Sequence, residues 1–551
     1  MFLQLLLISC LAGDEAVIRD GRSLPDPHTK YQFAAKTYSK LNTWKLRREE
    51  LRRQILISSG LWPMPVRGKV SAQLLHSRRV ADAIQVDTWR IETLPGFFVG
   101  ANLYRPVRRH GRLPAVMIAH GHWKKGRIEN TSVYSVPALA SNLAAKGYIA
   151  LAYDMIGYGD TKQIDHDFGV NATARAWAFH PLGLQLWNSL RIFDWLSQRR
   201  DTDPSRIAMT GASGGGTQTY LLAAVEERLR AAIPAVMLSL KFQGDDVCEL
   251  APGLRIGTNN IEIAALMAPR PMLLISTSQD WTANTPTQEF PALQSIYRLY
   301  GAANQLELLH QNAEHGFNAE ARGAAYSFLA KALGSPDANA KSSVELELPS
   351  GSLESWLAGP SFALKEDENS VQAAWIQLLR ERNARLSASQ RVTLWRSWTG
   401  ASWPSKVQRI STGEDDFLHR AGHNDLLRAA WQEGEGSTAI LKVDAKALPK
   451  PEGQGVFLGL KVFSGAEAPH RSDYLVFHHP DPANRIQDLI TGMAWLQGNG
   501  IQRIVLECAK GLEGECALAA RISLVSVDYR PPPGASLQLN LPGELAHDWP
   551  H

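Results

Sequence analysis

The sequence predicts an α/β protein: a mostly parallel sheet covered by helices on both faces, followed by a second, smaller α/β unit. Three observations carry this. Short, wholly apolar runs such as Ala115–Ala119 alternate with helical stretches, the rhythm of a parallel sheet. A Gly-rich turn, Gly211-Ala212-Ser213-Gly214-Gly215, joins one such run to a helix. A weaker copy of the same pattern returns in the last hundred or so residues. The chain has 551 residues, which suits two to four domains. With 44% hydrophobic and 20% charged residues, it is neither disordered, collagen-like nor a polytopic membrane protein. Lys plus Arg number 58 against 54 Asp plus Glu, and no basic block tracks a phosphate backbone, so no nucleic-acid partner is expected. Four Cys exclude a disulfide scaffold. The 16 Trp suit a core, or a cleft that stacks on sugar rings or aryl groups.

The elements follow in order. Phe2–Ala12 is apolar but far short of the roughly 20 residues that span a bilayer. It matches the h-region of a signal peptide, without the basic n-region. The expectation is a signal segment over 1–13 and a periplasmic or secreted protein, with Cys10 a candidate lipidation site. No other segment is apolar enough to cross a membrane. Residues 28–82 read as an N-terminal helical region, with helix over 28–65 and the basic run Lys45–Arg53 on its solvated face. Residues 83–106 read as a hairpin turning at Leu94-Pro95-Gly96. Strands are expected at 115–119, 148–153, 207–210, 232–236 and 272–276, and helices at 136–146 and 184–198. This block, 83–334, ends at Gly334-Ser335-Pro336, with a linker over 335–352 and the second unit over 353–551.

The strongest chemical signal is Gly211-Ala212-Ser213-Gly214-Gly215. It fits G-x-S-x-G between an apolar strand and a helix, the context of a nucleophile elbow. Glycines flank the serine because Cβ atoms would clash in so sharp a turn. A phosphate cradle is the competing reading, but no Lys follows in the P-loop manner. A serine needs a histidine base held by an acid. Asp280 ends the run Ile275-Ser276-Thr277-Ser278-Gln279, where α/β sites collect, and His315 follows in Asn312-Ala313-Glu314-His315. Ser213, Asp280 and His315 are the expected triad. Asp245, Asp246 and Glu249 are rival acids, and Asp280 could simply cap a helix.

Ala119-His120-Gly121-His122-Trp123 follows the first central strand, so the N–H groups of His122 or Trp123, with that of Gly214, are the expected oxyanion hole. Trp123 and Trp281 are candidate substrate-binding rings. His120 and His122 could pair as metal ligands, with His166 and Asp167 completing a site. No acid or Cys lies at ligand spacing, so neither metal nor cofactor is expected. The loop Asp154–Asp160 reads as structural.

Residues 83 to 333 resemble the α/β-hydrolase superfamily, and within it the bacterial acetyl-xylan-esterase-like branch. The likeness is carried by Leu94-Pro95-Gly96-Phe97, His120-Gly121-His122, Gly211–Thr219 and Asp280–Pro286. The resemblance implies an α/β-hydrolase fold and hydrolysis of carboxylic esters, with O-acetyl groups on plant polysaccharides as the substrate class. Serine peptidases share the superfamily, but only about a hundred residues precede the core, too few for the β-propeller of prolyl-oligopeptidase-like enzymes. A non-catalytic carbohydrate-binding protein on the same fold is the third reading.

The second unit reads as a degenerate hydrolase-like repeat. Asp194-Trp195-Leu196 leading to Gly211–Gly214 is echoed by Ala494-Trp495-Leu496 leading to Cys508-Ala509-Lys510-Gly511. In this register Lys510 stands where Ser213 does, so the nucleophile is lost. Tyr474–Phe477 and Ile504–Leu506 read as apolar strands, and Cys508 and Cys516 could pair or stay buried.

Overall fold

The computed structural model describes residues 20–23, 28–108, 111–334, 345, 367–412, 416–465 and 474–532. The signal segment with Cys10, and the linker apart from Glu345, lie outside the described residues. No described helix is long and apolar enough to cross a membrane.

The first sheet has nine strands: β1 (Ser71–Ala81), β2 (Ile84–Leu94), β3 (Phe97–Pro106), β4 (Leu113–Ala119), β5 (Ile149–Tyr153), β6 (Thr202–Ala212), β7 (Ala231–Ala235), β8 (Met272–Thr277) and β9 (Leu306–Gln311). Their order is β1-β2-β3-β5-β4-β6-β7-β8-β9. The first three pair antiparallel, and everything from β5 to β9 is parallel. Alternation along the buried strands feeds two cores. Ala115, Met117 and Ala119 face one, with the helices Leu41–Ser58, Pro181–Gln198 and Gly214–Val225. Val116 and Ile118 face the other, with Val136–Ala145 and Ala319–Leu333. Burial on both faces is why these strands read as continuous apolar runs. The hairpin turns at Pro95-Gly96 as expected, with Gly96 at φ 78°.

The N-terminal helical region of 28–82 needs correction. Helix occupies only Leu41–Ser58, and Ser71–Ala81 is already strand β1. Gly60, Pro63 and Pro65 stop the helix. Phe33 is held extended instead, its N–H donating to Leu240 O at 2.9 Å while its ring stacks on Phe477. The basic run is only in part a solvated face: Lys45, Glu49, Glu50 and Arg53 are exposed, while Arg47, Arg48 and Arg52 are half-buried. Arg47 pairs with Glu262, and Arg48 and Arg52 with Glu227, so these three arginines tie the helix to the ends of the neighbouring helices Asn260–Ala264 and Gly214–Val225.

The second sheet holds β10 (Val407–Ser411), β11 (Asp416–Arg420), β12 (Leu427–Gln432), β13 (Thr438–Asp444), β14 (Val456–Lys461), β15 (Arg503–Cys508) and β16 (Ser526–Arg530), in the order β10-β11-β12-β14-β13-β15-β16. This reproduces β1 to β7 of the first sheet, position by position and with the same sequence of antiparallel and parallel pairings. The expected repeat therefore extends over the whole second sheet. Among the described residues it holds no counterparts of β8 and β9. Cys508 and Cys516 are both free, and Cys508 Sγ lies 3.3 Å from the Tyr529 hydroxyl.

Tyr474–Phe477 is a short helix, not a strand. The carbonyls of Leu475 and Val476 accept from the N–H groups of Gly253 (2.6 Å) and Arg255 (2.9 Å), so this turn is a dock between the two halves. A second dock is Trp375, from the helix Glu368–Ala384. It is fully buried in the first core and donates its Nε1–H to Trp177 O at 2.9 Å.

Candidate active site

Ser213 sits between β6 and the helix Gly214–Val225 with φ 58° and ψ −126°, a strained turn for a residue with a side chain. The surrounding glycines are required by packing. A Cβ on Gly211 would lie 2.5 Å from Ala119 O, and one on Gly215 only 2.1 Å from the same oxygen. Ser213 is therefore held half-exposed at the helix N-terminus, whose first N–H groups have no intrahelical acceptor. Gly214 supplies one of them. The loop after β4 lies directly against it: a Cβ on Gly214 would meet His122 Cε1 at 2.8 Å, and a Cβ on Gly121 would meet the Trp123 ring at 2.3 Å and Ala212 O at 2.8 Å.

Asp280 and His315 come together across 35 residues: His315 Nδ1 lies 2.8 Å from Asp280 Oδ2. Asp280 Oδ1 meanwhile accepts from the Thr282 N–H at 2.6 Å and from its hydroxyl. Asp280 thus caps a turn with one oxygen and holds the imidazole with the other. With Nδ1–H given to the carboxylate, His315 Nε2 is left for proton transfer, and this nitrogen is buried with no hydrogen-bond partner. Trp123 stacks on the imidazole at 5.9 Å and 11°, and Trp281 packs against it at 4.5 Å. Both rings wall the imidazole, and the Trp281 Nε1–H is also buried and unpaired. Strand β9, which carries the chain to His315, had no sequence signal strong enough to be read, because its pattern is only half-buried.

The rival acids have other neighbours. Asp245 is exposed near Lys30. Glu249 is buried beneath Gly214, and burial raises its pKa. Asp246 faces His122 and His166. His120 and His122 do not pair. His120 turns inward and is fully buried, its pKa lowered to about 3 by burial. Its Nε2 accepts from the Met155 N–H at 2.9 Å. His122 turns outward. Asp167 is exposed and joins neither. Asp154 is structural, its carboxylate ion-paired with buried Arg127.

A sequence profile of the X-Pro dipeptidyl-peptidases (S15 family) matches residues 96–247. A protein of Bacillus subtilis (strain 168) named "Putative hydrolase YtaP" is 25% identical over 52% of this chain and 99% of its own. Among solved structures, Methylesterase BT1017 superposes with a TM-score of 0.50 at 29% identity, covering 63% of this chain and 78% of that one. The glucuronoyl esterase from Solibacter usitatus superposes more loosely, with a TM-score of 0.43 at 15% identity, over 56% of this chain and 99% of that one.

Proposed function

The chain is a hydrolase of the α/β-hydrolase superfamily, and from that premise we propose that it cleaves carboxylic esters through an acyl-enzyme on Ser213. The observation that carries this is the state of His315, whose Nδ1 is held by Asp280 while Nε2 is buried without a partner. In this reading His315 Nε2 takes the Ser213 proton as Oγ attacks the ester carbonyl. The N–H groups of Gly214 and of His122 or Trp123 receive the developing oxyanion. His315 then protonates the leaving alcohol, and water repeats the sequence to release the acid. Trp123 and Trp281, around the imidazole, are suited to stack on a sugar ring.

The substrate class is a carbohydrate ester, with acetylated plant polysaccharide the first candidate. The likeness to a methylesterase adds methyl esters of acidic sugars. Initial rates on 4-nitrophenyl acetate, longer acyl esters, acetylated xylan and methyl-esterified pectin test this. Activity on none of them, from folded protein, would end the ester reading. A peptidase reading is favoured by one observation, the S15 match over 96–247, which includes Ser213. X-Pro 4-nitroanilides in the same panel decide it. Export, drawn from the apolar N-terminal run, belongs to the same proposal and is tested by cell fractionation.

A further inference from the structure

Three loops meet beside the elbow and bring four metal-ligand atoms together. They are His122 Nε2 from the loop after β4, His166 Nε2 from the loop after β5, and Asp246 Oδ1 and Cys248 Sγ from the loop after β7. All lie within 4.8 Å of one another. His122 Nε2 is 3.2 Å from Cys248 Sγ and 3.4 Å from Asp246 Oδ1, and His166 Nε2 is 3.0 Å from Asp246 Oδ1. A tetrahedron built with zinc bond lengths of about 2.0–2.3 Å has edges of roughly 3.3–3.8 Å, close to these separations.

The hydrogen bonding makes the match specific. His166 Nδ1 lies 2.7 Å from Ile156 O, so Nδ1 carries a proton. Its other ring nitrogen, Nε2, is thereby aimed at Asp246 Oδ1 and into the cluster. An imidazole whose far nitrogen is fixed by a backbone carbonyl is the usual arrangement around a metal ligand. On the other side, His122 Nε2 faces both a thiol sulfur and the same carboxylate oxygen. One proton on Nε2 can serve only one of them.

We propose that His122, His166, Asp246 and Cys248 bind one divalent transition-metal ion of the zinc class in a closed, four-ligand site. On binding, the Cys248 thiol releases its proton, and any proton on a ligating Nε2 leaves with it. Four metal–ligand bonds then replace the direct contacts among these side chains. The side chains of His122, His166 and Asp246 are 26%, 15% and 35% exposed, so an ion can enter. With four protein ligands no position is left for substrate, so the ion is structural. It ties the oxyanion loop, through His122, to the loop that walls Gly214 on its far side. The site stands on its own ligands, whether or not Ser213 is the nucleophile.

The test uses the full-length protein, stripped with a chelator and titrated with cobalt(II), then zinc(II). The expected result is one equivalent of cobalt with tetrahedral absorption and a thiolate-to-cobalt charge-transfer band, displaced by zinc. Cys508→Ser keeps that band. Cys248→Ser loses it, and Cys248→Ser and His166→Ala each weaken zinc affinity by at least about tenfold. X-ray absorption on the zinc-loaded wild type should show one sulfur and three nitrogen or oxygen neighbours. This needs no variant to fold. No stoichiometric metal uptake by folded wild type, or a zinc shell without sulfur, would overturn the proposal. A charge-transfer band that survives Cys248→Ser would do the same.

Discussion

Replacing Asp280 by Asn tests the proposed triad at its most informative point. Oδ1 of Asp280 is committed to the Thr282 N–H and hydroxyl, and Oδ2 to His315 Nδ1. An asparagine keeps its carbonyl oxygen toward Thr282 and turns its NH2 toward His315. Nδ1 must then accept, the proton moves to Nε2, and the base toward Ser213 is gone. A wrong-tautomer imidazole costs about four orders of magnitude in kcat, or about 5.4 kcal/mol at 1.36 kcal/mol per decade. Folding should change little, because a neutral hydrogen bond replaces a charge-assisted one at a cost of about 1 kcal/mol. The assay is kcat on 4-nitrophenyl acetate, with urea unfolding followed by circular dichroism alongside. An Asp280→Asn enzyme within tenfold of wild type, with a dead Glu249→Gln, would refute the assignment.

Ser213→Ala and His315→Ala should each lower kcat by several orders of magnitude, and the double variant should be little worse, since triad members act as a unit; multiplying effects in the same assay would contradict a shared step. Trp375→Ala empties a fully buried site between the halves and should cost about 3–5 kcal/mol; a urea midpoint unchanged from wild type would show that the dock is not cohesive. Burial alone would raise the Glu262 carboxyl, but bonds from Arg47, Thr258 and Tyr38 outweigh it and hold its pKa below the ordinary 4.5. A depressed carboxylate contributes stability that is full above the unfolded value and lost as pH falls through the folded one. Urea midpoints should therefore drop less steeply below about pH 4.5 in Arg47→Met than in wild type, and parallel curves would exclude this pair as a source of acid sensitivity.

The parallel core and the tight strand–helix turn at Ser213 are legible in the sequence alone, because both rest on local requirements. A strand buried on both faces must be continuously apolar, as Ala115–Ala119 and Ile149–Tyr153 are. An elbow this tight admits only glycine at Gly211 and Gly215. The repeat was visible in one short segment for the same reason, since its strand–turn–helix signal is local. Its true extent appears only in the matching strand order of the two sheets.

Tertiary structure decided what depends on distant partners. Phe33 is extended and Tyr474–Phe477 helical because they pack on each other's elements, which overrides propensity. Three arginines of the first long helix are docked because Glu227 and Glu262 arrive from elsewhere. Spacing along the chain gives no metal-ligand set near His122; in space Cys248 Sγ comes to it across 126 residues and Asp246 to His166 across 80, the juxtaposition on which the proposed ion site rests. Ligation and ion pairing are set by separation in space, and the crossovers of a parallel sheet bring to one edge loops that the sequence holds far apart.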